Sequence, residues 1–266
     1  MVIKRIANKI ARILGAKPPA TPSPLLRYID TAFLYPASAL LRLGTEYGGW
    51  YIPVDCGLNE RSICYLAGAG EDISFDCALA ARYNCQIRIV DPTPKAIAHF
   101  DGLAAAVKAG ERFPINNSED TFYEISPQVM SHVRFLPFGL TDKDVELKFY
   151  LPKNPNHVSC STLNLQKTDT WFSAQCHTLA SLMATHGDTH VDLLKMDIEG
   201  GEYAVIEHLT SSGFLPSLLL IEFDEAHTPL DSSSGDRIQE HIHMLEYAGM
   251  RCISLDGCNA TFLRQS

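Results

Sequence analysis

Lys195, Asp197 and Glu199 alternate along LLKMDIEGGEY, residues 193–203, so on an extended strand end they share one face. Carboxylates placed there can take a proton from an acceptor or face a cation, and the lysine can equally pair with them as a structural ion pair. Gly200 and Gly201 then open the backbone to a close neighbour. Glu202 enters the first turn of a helix, where an acid suits the dipole. A second segment, YLAGAGEDISFD at 65–76, has the same layout: an apolar run, the turn Gly68-Ala69-Gly70, the acids Glu71 and Asp72, then a helix. A glycine turn after a buried strand lets a ligand approach the backbone, although a plain tight turn explains the same residues. A dinucleotide fingerprint would place a third glycine at position 73, where this chain has Ile73, and Glu71 and Asp72 would repel a pyrophosphate.

Asp91 follows about twenty residues on, at the end of the next strand, where a carboxylate can accept from both hydroxyls of a ribose or cap the turn before Pro92. A glycine pair without its third glycine, neighbouring acids and a ribose-binding acid suit S-adenosylmethionine better than NAD. Its sulfonium is cationic and its nucleoside carries no pyrophosphate. Hydroxyl acceptors must also lose a proton. The expected base is Asp197, then Glu199, with His157 as a third candidate in the polar loop 154–168; His157 reads equally as a solvent-exposed loop histidine. Glu222 is a further strand-end acid. No metal is expected, although Asp197, Glu199 and Glu222 have the hard oxygen ligands of a magnesium site.

Positioning both loops takes an open, mostly parallel sheet. Strands are predicted over 62–67, 86–90, 133–137, 145–150, 191–196 and 217–223. They alternate with helices over 75–83, from about 95, and over 179–184, 203–209 and 237–247. Residues 251–255 and 260–263 read as an antiparallel hairpin at the sheet edge. If the two loop-bearing strands are neighbours where sheet order reverses, Asp197 and Glu199 face the ligand of the Gly68 turn.

The chain has 266 residues, 46% of them apolar, enough for one large α/β domain with a small extension. Three parts are expected: a basic amphipathic helix and Pro-rich linker over 1–24, a helical extension over 25–50, and the α/β domain over 51–266. Within the first, VIKRIANKIARIL at 2–14 alternates an apolar stripe with cations, and it can lie on an anionic membrane face or dock on protein. The net charge is −9, and six cations (Lys4, Arg5, Lys9, Arg12, Lys17 and Arg27) precede the first acid, so the body is more acidic still. Such a body disfavours nucleic acid as main ligand. The 8 cysteines show no zinc spacing and read as thiols of a reducing, cytoplasmic compartment.

Two motifs carry a family resemblance. VDLLKMDIEGGEYAVIEHL resembles the hallmark of the FkbM-type methyltransferases, a strand running into K-x-D-x-E-G-x-E. GAGEDISFDCALAARYNCQIRIVDPTPKAI resembles the cofactor-binding half of one branch, which keeps G-x-G-E-D-I-S-F-D and ends the next strand in D-P-T. HVSCSTLNLQKT and DGCNATFLR resemble that branch as well. The resemblance covers residues 51 to the C-terminus. It implies a class I, Rossmann-like S-adenosylmethionine-dependent methyltransferase fold, with methyl transfer commonly to an oxygen of a sugar or natural product. Gly68, Ala69 and Gly70 would turn under the methionine part, with Glu71 and Asp72 beside them. Asp91 would hold the ribose, and Asp197 and Glu199 would face methyl and acceptor. The segment from Ile221 to His227 lacks the E-x-H pattern of many relatives. The first 50 residues carry none of these motifs, which makes them the place to look for substrate choice. A nucleoside-binding protein without turnover and an NAD-type oxidoreductase remain as alternatives.

Overall fold

The computed structural model describes residues 22–116, 118–153, 160–162 and 168–265. The expected helix at 2–14, and His157, lie outside them.

Twelve strands run through the described residues. β1 (Leu40–Leu43) and β2 (Trp50–Pro53) form a hairpin. β3 (Ile63–Ala67), β4 (Gln86–Val90), β5 (Val133–Leu136), β9 (Leu193–Met196), β10 (Leu218–Glu222), β11 (Met250–Asp256) and β12 (Asn259–Arg264) form the main sheet. β6 (Gly139–Leu140), β7 (Val145–Tyr150) and β8 (Trp171–His177) make a small third sheet. The helices are α1 (Ser74–Tyr83), α2 (Pro94–Ala109), α3 (Pro127–Met130), α4 (Leu179–His186), α5 (Glu202–Ser212) and α6 (Ser234–Tyr247).

In the main sheet the order is β11-β12-β10-β9-β3-β4-β5. β3, β4, β5, β9 and β10 pair in parallel, while β12 is antiparallel to both neighbours. The C-terminal hairpin therefore does close the edge, but its antiparallel strand sits one place in. Every residue of β3 and β9 is buried, as expected of strands covered on both faces. On one face Phe75 and Leu79 of α1 and Leu103 of α2 pack with Leu66 and Ile89. On the other, Leu182 of α4, Ile206 of α5 and Ile242 of α6 pack with Tyr65 and Leu194. Each such side chain contributes about 1.5–3 kcal/mol by leaving water. Among the described residues no helix is long and apolar enough to cross a membrane.

Two expectations need correction. Residues 25–50 are not a helical extension: they form three single turns of 3-10 helix (Pro24–Arg27, Thr31–Phe33, Ala37–Ala39) and the β1–β2 hairpin. Side chains close the first two turns locally, Ser23 Oγ accepting from Leu25 N at 3.1 Å and Asp30 Oδ1 from Ala32 N at 3.0 Å. Pro36 precedes the third turn, where it cannot extend a helix from the second. This segment also covers the outer strand, Tyr35 N donating to Ile253 O at 2.8 Å. The second correction is β8, which sequence reading left as unassigned chain. It pairs with β7 over Trp171–Cys176.

Candidate active site

The main sheet reverses direction between β3 and β9. From β3 the chain proceeds outward through β4 and β5, then returns to place β9 on β3's other side. Ligand crevices form at such switch points. Ala67 is in register with Met196, and Met196 with Ile221. The residues that follow, Gly68, Asp197 and Glu222, therefore leave three adjacent strands at one rim. Lys195 braces them from below: its Nζ donates to Gly68 O at 2.6 Å and stands 3.4 Å from Asp197 Oδ2. The lysine is 5% exposed, and the Trp50 ring centroid lies 5.7 Å from its Nζ.

Asp91 organises the glycine turn. One carboxylate oxygen accepts from Ala69 N at 2.8 Å and Gly70 N at 3.2 Å; the other accepts from Thr93 N at 2.8 Å and Thr93 Oγ1 at 2.6 Å. A carboxylate has about four acceptor positions, and these four donors use them. Asp91 lines the pocket, yet a ribose hydroxyl there would have to share or displace one of these donors. Asp72 is also a tie. Buried, it accepts from Ser74 N at 3.0 Å, Thr45 Oγ1 at 2.6 Å and Asn116 Nδ2 at 2.9 Å. It thus fastens the β1–β2 turn to the glycine turn. Arg42 holds that turn from the other side, donating to the carbonyls of Thr45, Glu46 and Gly49. Glu71 is half-buried on the pocket wall.

A cavity of about 400 Å³ opens between these loops. One end is acidic, with Asp197, Glu199, Glu222 and Asp224 on its wall; the other is mostly apolar, with Leu140, Leu147, Phe149 and Cys176 from the small sheet. Burial pushes the Glu222 carboxyl up to about 9, with the neighbouring Asp197 carboxylate adding to it and Lys195 opposing. Asp224 is likewise raised to about 9, by burial first and then by Glu199 and Glu222. Its Oδ2 is buried without a hydrogen-bond partner. Tyr47, on the bolted turn, is 75% exposed, and its phenol is raised by partial burial and by Asp197, Glu222 and Glu199.

Glu199 has φ 50° and is followed by Gly200 at φ 89°. A left-handed conformation at a non-glycine residue costs about 1–3 kcal/mol and concentrates at functional turns. Ser161 Oγ donates to the Glu199 carbonyl at 2.6 Å. Glu202 behaves differently from Asp197 and Glu199. It is fully buried at the start of α5, neither carboxylate oxygen has a hydrogen-bond partner, and burial raises it to about 7.

The structure thus brings together Gly68, Ala69, Gly70, Glu71, Asp72, Asp91, Asp197 and Glu199 around one cavity. Among the described residues no group of three or more His, Cys, Asp or Glu side chains is arranged to hold a metal. Sequence reasoning missed Tyr47, Trp50 and Asp224. For Asp224 a signal existed: it follows Glu222 at the spacing that separates Asp197 from Glu199.

Residues 55–252 match the model of the methyltransferase FkbM domain. The chain belongs to the FkbM methyltransferase family. Both hallmark segments, at 68–97 and 191–209, lie inside the matched span. The sheet order, with one antiparallel strand next to the edge, is that of a class I methyltransferase fold. No curated protein matches the chain in sequence. Among similar solved structures is the fibrillarin pre-rRNA processing protein of Methanococcus jannaschii, at 10% identity and a TM-score of 0.40, covering 77% of this chain and 66% of that one.

Proposed function

We propose that this protein transfers a methyl group from S-adenosylmethionine to a hydroxyl oxygen of a sugar, glycan or natural product. The observation that carries the reading is the adjacency of the Gly68 turn and the Asp197 turn across the switch point of the sheet, with one cavity between them.

The residues present fit the donor. The cavity wall is rich in carboxyl groups, and its lysine is already engaged by Gly68 and Asp197, which suits a cationic guest and opposes a pyrophosphate. Gly68 and Gly70, both at positive φ, let the methionine part approach the backbone. Asp91 and Thr93 line the cavity and are assigned to the ribose, which would share a donor of Asp91, and Leu140, Leu147 and Phe149 offer an apolar wall for the adenine. When bound, the donor supplies a methyl on sulfur that leaves without its bonding electrons, which return to sulfur as the new oxygen–methyl bond forms. The chain's own contribution is positioning, exclusion of water and removal of the hydroxyl proton. Asp197 is the assigned base: it lines the cavity, with the Lys195 Nζ 3.4 Å from its Oδ2 to orient the carboxylate. Glu199 lies on the same wall as the second carboxylate, and His157 is retained as a third candidate from the sequence.

The test is untargeted. Protein and methyl-labelled donor are incubated with cell fractions, and the labelled product is isolated. Label on a hydroxyl oxygen supports the proposal; label confined to nitrogen, or none with any fraction, rejects it.

A further inference from the structure

We propose that Tyr47 and Asn259 form the acceptor subsite of this cavity, with the Tyr47 ring as the platform for a neutral sugar ring and the Asn259 amide as the reader of its hydroxyls. This rests on the methyl-transfer reading above and deepens it by naming the acceptor class and the side chains that hold it.

Both residues line the cavity, and both lie outside the span 55–252 that matches the family model. The donor turns at Gly68 and Asp197 lie inside that span. The chemistry common to the family is thus built from the matched domain, while Tyr47 and Asn259 reach the cavity from its two flanks. β12 begins with Asn259, in register with Glu222 at the end of β10, so Asn259 sits at the rim that Asp197 and Glu222 share. Tyr47 projects from the β1–β2 turn, and the nearby acids that raise its phenol are Asp197, Glu222 and Glu199. It therefore belongs to the acidic end of the cavity, away from the apolar wall assigned to the adenine.

The two flanks are fastened to each other. Arg42 Nε lies 3.8 Å from Asp256 Oδ2, and Thr261 Oγ1 on β12 donates to Tyr51 O on β2 at 2.7 Å. The Tyr47 turn is also fixed from within. Thr45 N donates to Ser74 Oγ at 2.8 Å, and Gly48 N to Thr45 Oγ1 at 2.9 Å. A β-carbon at Gly48 would lie 2.6 Å from Asp72 Cγ, so the turn rests on Asp72 with room for a hydrogen alone. Yet this anchored turn holds Tyr47 75% exposed. An aromatic on a fixed turn has little freedom left to lose when a ligand stacks on it. The other aromatics among the described cavity residues are engaged. Trp50 is buried beside Lys195, and Phe149 stacks on Phe172 with centroids 5.4 Å apart.

A sugar ring presents a face of C–H groups and an edge of hydroxyls. The face suits a tyrosine ring, and the edge suits an amide that both donates and accepts. Charge narrows the class. The same end of the cavity carries Asp197, Glu199 and Glu222, and among the described cavity residues Lys195 is the one lysine or arginine, already engaged by Gly68 O and Asp197. A phosphorylated or acidic sugar is repelled there, and a neutral one is not. A phenol can stack on Tyr47 but offers Asn259 no row of hydroxyls.

Saturation-transfer NMR on the full chain, loaded with S-adenosylhomocysteine, tests this. The probes are the methyl glycosides of glucose, galactose, mannose and rhamnose, with glucuronate as anionic control and phenol as aromatic control. The expected result is transfer to at least one neutral glycoside, strongest on its ring C–H protons, and none to glucuronate. Tyr47→Ala should weaken that glycoside at least about tenfold, and Asn259→Ala about threefold to tenfold. Tyr47→Phe should bind it within about twofold of wild type, because the ring face does the holding. Calorimetry should find S-adenosylhomocysteine affinity within about twofold of wild type in all three variants. No transfer to any neutral glycoside, equal transfer to glucuronate, binding of phenol alone, or glycoside binding that survives Tyr47→Ala overturns the proposal while leaving the donor reading intact. If S-adenosylhomocysteine itself does not bind, the donor reading fails and this subsite fails with it.

Discussion

Gly68 and Asp197 touch through their backbones: a β-carbon added at Gly68 would lie 1.8 Å from the Asp197 carbonyl oxygen. Only a hydrogen fits there. With its φ of 83°, Gly68 is the point at which the two loop-bearing strands can end together.

Gly68→Ala should therefore force the two turns apart. The expected cost is about 2–4 kcal/mol of stability, from backbone overlap and a left-handed alanine. Donor affinity should fall at least about tenfold, which is 1.4 kcal/mol. Chemical denaturation and calorimetry check the two effects separately.

Asp197→Asn keeps shape and removes the base. Turnover should drop by about 10²–10⁴-fold, the usual worth of general-base catalysis, while donor affinity stays within severalfold. Label transfer and calorimetry on the same preparation measure both. Unchanged methylation would remove Asp197 from the chemistry.

Raised carboxyls set a pH dependence of stability with a definite sign. Glu222 moves from 4.5 to about 9, Asp224 from 3.8 to about 9 and Glu202 from 4.5 to about 7. The folded protein therefore keeps protons that the unfolded chain has lost. Stability falls as pH rises above the unfolded values near 4, and the loss levels off near 9. The donor-free protein should melt lower at pH 9 than at pH 6, and Glu222→Gln should flatten that slope. A melting temperature that rises over this range would contradict the assignment.

Asp72 joins the β1–β2 turn to the glycine turn through three hydrogen bonds. Asp72→Ala should cost about 2–4 kcal/mol, because it leaves buried donors unsatisfied. It should also release the Tyr47 turn, read as faster amide exchange over residues 44–49. Stability within 0.5 kcal/mol of wild type would show the tie to be dispensable.

Much of this architecture was legible because its signals are local. β4 is found at its predicted bounds, and β3, β9 and β10 lie within theirs; each is a short apolar run ended by glycine, proline or acids. The β1–β2 hairpin was not legible: LLRLGTEYGGWYIP has apolar spacing that fits a helix as well as two strands. β8 did carry a legible signal: exposed Ser173 and Gln175 alternate with the less exposed Phe172, Ala174 and Cys176, the period of a half-covered strand. At the site, Asp72 and Asp91 were readable as strand-end acids. That Asp72 meets Thr45 and Asn116, and that Asp91 already serves four donors, depends on chain folded back from elsewhere.

Hydrogen–deuterium exchange with and without S-adenosylmethionine tests the central claim most directly, since it reads both turns in one experiment. The account predicts that saturating donor slows exchange together at residues 68–72 and 197–202. Protection of one turn alone, or of neither, would contradict a shared ligand and with it the assigned chemistry.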